Sequence, residues 1–328
     1  MKKYVLLVIA VVLFCSASAE PATYPRSIVI FDGFWLGSVF EGKWKSADDF
    51  KEDMAEPERR NWTSAKWDAE YPFPYPWGGQ QYAIYLSTGY YCAAQGEGLQ
   101  RNFSQESEDD WDKIEMRAGD ERKDAALRKT AYLGLSGLDF DEENVNNRNT
   151  PFPRKVTSLS VKNSVYEKIM KEYLARNGLP DANVNIMQLF RVDLEGDGVD
   201  EVVIYAQNIV DPKMYADLLK QDKSMEEFKP ELNPMPKQGM YSVLLLRKIV
   251  SGKVMEIPLA SFIAPRGAAT GDGSIPIVQR VYQFADLNGD GTMEIIFGGA
   301  YYEGYGYNVV EVHKNGVFDI VLSNGAGR

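Results

Sequence analysis

The sequence predicts a mainly antiparallel β protein with a few helices, built in part from four-stranded units like propeller blades. Two acidic, glycine-bearing loops lead to that prediction: Asp193-Leu-Glu-Gly-Asp-Gly-Val-Asp-Glu201 and Asp286-Leu-Asn-Gly-Asp-Gly-Thr-Met-Glu294. β-type residues flank both, Arg191-Val192 and Val202–Tyr205 around the first, Phe284-Ala285 and Ile295–Phe297 around the second. The segments downstream of the two loops are also alike. After the second come strand-like Ile295–Gly299 and Tyr307–Lys314, an Asn315-Gly316 hairpin signal, then Val317–Leu322. After the first come Val202–Ala206, Tyr241–Ile249, a Ser251-Gly252 turn and Lys253–Leu259. The first unit is longer because Asp211–Gln238 is inserted, with Asp211-Pro212 as a helix start. A ring of blades needs at least about four such units. Two are legible, so the sequence leaves open a propeller-like ring or a β-sandwich.

Taken in order, residues 1–19 read as a secretory signal peptide. Lys2 and Lys3 precede an apolar run from Tyr4 to Phe14, and Ala17-Ser18-Ala19 forms the cleavage site. The expected mature chain starts at Glu20, is exported to the periplasm or beyond the cell, and carries no membrane span. Loss of Lys2 and Lys3 takes the formal net charge from −11 to about −13, which disfavours nucleic acid as a partner. Cys92 is then the one cysteine left, so no intramolecular disulfide forms. With His313 as the sole histidine, zinc sites built on several histidines are excluded.

Residues 20–153 form an aromatic-rich, β-containing N-terminal region, and residues 154–328 the C-terminal β-repeat region. Ser27–Trp44 alternates Ile, Val and aromatics with glycine, predicting two short strands joined at a turn. Ser46 caps a short helix within residues 46–60. Residues 62–91 hold ten aromatics, and Tyr71-Pro-Phe-Pro-Tyr-Pro-Trp77 is held extended by its alternate prolines. Tyr82–Tyr91 reads as a further strand. Residues 104–149 are a polar, acidic excursion in which Asp120–Thr130 has helical character, while Asp139–Asn144 lacks the turn glycine a metal loop needs. A helix is expected from about Val161 onward, capped by Asn163 or Ser164, with Gly178 and Pro180 ending it.

Each acidic loop places side-chain oxygen donors at positions 1, 3, 5 and 9 with glycine at position 6, a chelate for a hard cation such as calcium. An EF-hand is excluded because position 12 is Ile204 in one loop and Phe297 in the other, both within strand-like runs. The same residue types favour turns without any metal. Yet four oxygens converging on so small a loop repel each other unless a cation sits among them.

The loops resemble those of FG-GAP, or VCBS, repeats (integrin-α-like), common in exported bacterial proteins, where D-x-[DN]-G-D-G-x-x-[DE] joins two strands of a propeller blade. The resemblance covers Asn185 to Leu322. It implies Ca2+ held by Asp286, Asn288, Asp290 and Glu294 through side chains and by Thr292 through its carbonyl. In the first loop it implies Asp193, Glu195, Asp197 and Glu201 with the Val199 carbonyl, Glu195 being a departure from the pattern's Asp or Asn.

The expected function is a non-catalytic, calcium-stabilised binding or structural module. Its ligand is a protein or a carbohydrate, with Trp62, Trp67, Tyr75 and Trp77 as candidate stacking rings. The alternative is a secreted polysaccharide hydrolase using paired carboxylates, with Asp32, Asp68 and Glu70 nearest the aromatic segment.

Overall fold

The structure, a computed structural model, describes residues 26–101, 112–136, 151–221, 223–227, 236–265 and 275–326. The predicted signal peptide and Asp139–Asn144 lie outside these residues. Among the described residues no helix is long and apolar enough to cross a membrane.

The fold is mainly antiparallel β, as the sequence predicts. The N-terminal sheet uses β1 (Arg26–Phe31), β2 (Phe34–Phe40), β3 (Lys43–Ser46), β4 (Gln81–Leu86), β5 (Gly89–Arg101), β6 (Asp112–Arg117) and β7 (Leu133–Leu135). Its order is β1-β7-β4-β5-β6-β2, and β1 also pairs with β2. Six strands therefore close on themselves as a barrel, with β3 appended to β2. Closure thus occurs here, in the half where no repeat is visible, and not as a ring of blades.

Two differences from expectation come from tight turns. Residues 27–44 contain three strands, not two, because both Asp32-Gly33 (φ 51° and 82°) and Glu41-Gly42 (φ 48° and 74°) form two-residue turns with left-handed backbone. Residues 82–91 likewise split into β4 and β5 around Ser87-Thr88. Strand alternation sends Ile28 and Ile30 into one apolar cluster with Trp35, Phe50 and Ile84. Val29 and Phe31 face a second cluster shared with the C-terminal sheets. Helix α1 (Ala47–Ala55) starts with the capping box Ser46/Asp49, while α2 (Ser64–Glu70) and α3 (Glu121–Leu127) are capped by Thr63 and Asp120.

The two predicted units are two separate sheets. The first contains β8 (Thr157–Ser158), β9 (Ile186–Val192), β10 (Glu201–Gln207), β11 (Tyr241–Val250) and β12 (Lys253–Ile263), in the order β12-β11-β10-β9-β8. The second is the meander β13 (Val278–Ala285), β14 (Glu294–Ala300), β15 (Tyr305–Val312) and β16 (Phe318–Ala326). Helix α4 (Ser164–Arg176), capped by Asn163, buries Met170 and Leu174 against Ile204 and Leu245 of the first unit. It ends at Gly178 (φ 91°), with the Leu179 amide donating to the Leu174 carbonyl at 2.8 Å. The insertion begins with α5 (Pro212–Lys220), capped by Asp211.

The hairpin turns reverse the expected contrast. Ser251-Gly252 (φ 50° and 74°) makes the two-residue turn between Val250 and Lys253. At Asn315-Gly316 only the glycine is left-handed (φ 82°), the Gly316 amide bonds to the His313 carbonyl at 2.9 Å, and the connection is longer.

The outer edge of β13 is covered by side chains of the other unit. The Gln279 amide donates to the Tyr205 hydroxyl (2.9 Å), and the Tyr215 hydroxyl donates to the Gln279 carbonyl (3.0 Å). The Gln188 side chain both accepts from and donates to the Val281 backbone, at 2.9 and 2.8 Å. On its other side the second unit meets the barrel. Phe31 packs 4.9 Å from Tyr282 and from Tyr307, the Tyr307 hydroxyl donates to Asp32, and Asn324 donates to the Trp35 carbonyl at 2.7 Å.

Candidate metal centre

The loop between β9 and β10 (loop 1) and that between β13 and β14 (loop 2) are built alike. In each, the first aspartate accepts amides of its own turn. Asp193 takes Gly196 (2.7 Å), Asp197 (3.2 Å) and Gly198 (3.0 Å), and Asp286 takes Gly289 (2.8 Å) and Gly291 (3.0 Å). Those four glycines have φ between 72° and 87°, which explains glycine at the fourth and sixth positions. The fifth-position aspartates accept from Val199 (2.8 Å) and Thr292 (2.7 Å). Asn288 accepts the Asp290 amide at 3.0 Å. The ninth-position glutamates reach back to the second-position amides, Glu201 to Leu194 (2.9 Å) and Glu294 to Leu287 (2.8 Å).

The loops also touch. The Met293 amide donates to the Leu194 carbonyl at 2.8 Å. Arg154 lies between them, its guanidinium bonding Asp193 O (2.6 Å) and Leu194 O (2.7 Å) of loop 1 and Gly291 O (2.8 Å) of loop 2.

They differ in what faces the ninth-position glutamate across the sheet. One residue beyond the Val202–Arg247 pair, Glu201 faces Lys248. The Lys248 side chain is 1 % exposed and bonds Glu195, with Glu201 Oε1 3.4 Å from its nitrogen. One residue beyond the Ile295–Val310 pair, Glu294 faces another acid, Glu311. Glu294 is 0 % exposed, and its Oε1 has no hydrogen-bond partner. Glu195 Oε1 is also unpartnered, but its companion oxygen holds the lysine. Loop 1 thus has a cation of its own, and loop 2 has acids on all sides with Arg154 as the nearby positive group.

Electrostatics follow this difference. Burial raises Asp286 to about 6, helped by Asp290 and opposed by the Gly289 and Gly291 amides and by Arg154. Burial raises Glu294 well above the ordinary carboxylate range, with Asp286, Asp290 and Glu311 adding to the effect. Glu201 is raised by burial too, but the Leu194 amide and Lys248 work against it. Among the described residues no three His, Cys, Asp or Glu side chains already form an ion cage, the carboxylates being turned onto amides of their own loops. The donor set of loop 2 nonetheless suits calcium: all oxygen, mostly anionic, with one buried oxygen unmatched.

The aromatic candidates do not form a presented row of rings. Trp67 and Tyr75 are buried, at 3 % and 6 % exposure, while Trp62 and Trp77 are half-buried and lie against them. The carboxylates of the hydrolase alternative have separate partners: Asp32 binds Tyr307, Asp68 binds Trp77 (3.1 Å) and Glu70 lies 3.8 Å from Lys66. His313, outside the strands and partly exposed, sits 2.8 Å from Asp319. Arg154, Lys248 and Glu311 were not singled out from the sequence. Lys248 had a signal, being a lysine inside the apolar run Val243–Ile249. Comparison with family models, curated proteins and solved structures finds no match.

Proposed function

We propose that the protein is an exported, non-catalytic β module whose second acidic loop binds Ca2+ to stabilise the fold. The observation that carries this reading is the unpartnered, fully buried Oε1 of Glu294, set among Asp286, Asp290 and Glu311. An anionic oxygen buried without a partner costs several kcal/mol unless it is protonated or meets a cation. A calcium ion in loop 2 would be held by Asp286, Asn288, Asp290, Glu294 and the Thr292 carbonyl. It would neutralise the cluster and fix the turn between β13 and β14. The corresponding set in loop 1, Asp193, Glu195, Asp197, the Val199 carbonyl and Glu201, has its charge met in part by Lys248, so loop 2 is the tighter site. Export, expected from residues 1–19, places the module where calcium is abundant.

The test is thermal unfolding of the chain from Glu20 in chelator and in millimolar calcium, with calorimetric titration for stoichiometry. The expected result is a calcium-specific rise in midpoint that is lost in Asp290→Ala, with one site per chain. Equal midpoints in chelator and calcium would refute the reading and leave both loops as turns.

A further inference from the structure

A second feature of the β13–β16 sheet lies at its other end. The register places Gln279, Gly299, Gly306 and Gly325 opposite one another, one residue from each of the four strands. Strand alternation puts Asn308 and Ser323, themselves a cross-strand pair, two residues along on the same face. Gly306 and Gly325 leave their part of the face without side chains. The row is glycine by necessity: a Cβ at Gly325 would come within 2.4 Å of the Tyr305 carbonyl, and one at Gly306 within 3.0 Å of the Asn324 carbonyl. A Cβ at Gly299 would lie 2.9 Å from the Gln279 amide oxygen, so that amide lies over the glycine. These residues line a groove of about 590 Å3, with Tyr301 also in its wall.

The independent pointer to a ligand is Gln279. It is 7 % exposed, its backbone amide and carbonyl are committed to Tyr205 and Tyr215, and its Oε1 has no partner. A buried amide oxygen without a donor is an unmet acceptor, here on a residue that lines the groove. The Asn308 side-chain amide and the exposed Ser323 hydroxyl also line the groove. The charged residues of the lining, Asp48 and Lys51 of α1, pair with each other at 3.1 Å. What the groove offers is a flat floor, uncharged amide and hydroxyl groups, and a tyrosine ring. That combination suits a ligand that is flat on one face, uncharged, and rich in hydroxyl donors and acceptors.

We propose that this groove binds a neutral oligosaccharide, one sugar ring lying on the glycine row and giving a hydroxyl proton to Gln279 Oε1. The site goes beyond the calcium reading and does not rest on it, since Gln279 lies near the start of β13 and loop 2 comes after its end.

The test uses the chain from Glu20 and four neutral hexasaccharides, of the cello-, xylo-, malto- and chito- series, titrated by calorimetry and ligand-observed NMR. Binding of at least one is expected, weakened at least tenfold by Asn308→Ala and by Tyr301→Ala, with melting unchanged. Gln279→Met separates a binding role from a structural one. Replacing an unpartnered buried amide by an isosteric apolar chain leaves stability equal or higher, so loss of binding with an unchanged or raised midpoint supports the site. Running each titration in calcium and in the Asp290→Ala background keeps failure of this site distinct from failure of loop 2. The proposal is overturned if no hexasaccharide binds, if binding survives all three substitutions, or if an extended peptide and no sugar perturbs Asn308.

Discussion

The contrast between Lys248 and Glu311 yields a test in which one residue replaces a metal ion. Glu311→Lys puts in the second unit the ammonium that Lys248 supplies in the first, at the matching cross-strand position. For a site in the range of extracellular modules, with Kd about 0.1 mM, 5 mM calcium stabilises the native wild type by about 2 kcal/mol. In a chain of this size that is a midpoint shift of about 3 °C. The substitution removes the acceptor of the Trp44 indole N–H, now 2.7 Å from Glu311 Oε2, at a cost of about 1 kcal/mol. Against this, the new ammonium gives Glu294 Oε1 the cation it lacks. The variant is therefore expected to melt higher than wild type in chelator and to respond to calcium by less than about 1 °C. Circular dichroism melts with chelator, magnesium and calcium read this directly. A full calcium response in the variant would refute the reasoning, because the ion would then be held away from Glu294.

Three further outcomes are expected. Lys248→Met leaves Glu195 and Glu201 buried without their cation, which costs about 3–5 kcal/mol in chelator; calcium should restore part of that loss and raise the calorimetric stoichiometry from one to two. Arg154→Lys keeps the charge but not the fork that spans Asp193, Leu194 and Gly291, so denaturant unfolding should show a loss of about 2 kcal/mol and a smaller calcium shift. The pH dependence has a definite sign. A carboxyl raised by burial from 3.8 to about 6 binds its proton more tightly folded than unfolded. Asp286 and Asp32, which burial likewise raises to about 6, therefore destabilise the calcium-free protein fully above pH 6, and the penalty fades as pH falls towards 4. Melts in chelator should rise between pH 7 and 5, by about 1 kcal/mol for each group, while the calcium-induced shift shrinks as protons compete for the same oxygens. A steady fall in chelator stability over that interval would contradict it.

The loops and the meanders around them were legible because their signals are local. A chelate spacing, glycines at turn positions and period-2 strands all lie within about ten residues of one another. The barrel was not legible. Its closure depends on β1 meeting both β2 and the three-residue strand Leu133–Leu135, and the latter pairing joins segments about a hundred residues apart. Asp32-Gly33 is a standard hairpin dipeptide, and reading Glu41-Gly42 as a second turn would have divided 27–44 into three strands. The aromatic segment misleads for a different reason: composition shows that rings are abundant, not which side of a sheet they face. Tyr75 lies within the barrel's own apolar cluster, and Trp67 packs on Tyr71 at the rim of that cluster. Apart from Glu195 in place of Asn288, the difference between the two loops lies outside their motifs, on the neighbouring strands at Lys248 and Glu311.

The covered edge of β13 has a consequence for how the molecule reaches its folded form. A meander left with a bare flank is a template on which a sister chain can lay a strand, the first step towards stacked aggregates. Here the guard is made by Gln188, Tyr205 and Tyr215, all from the preceding unit. It exists only once the two units have docked. During folding, the vulnerable species is therefore a chain with its last sheet formed and its first not yet in place. N-to-C synthesis favours the safe order, because the residues that form the guard emerge before the edge they cover.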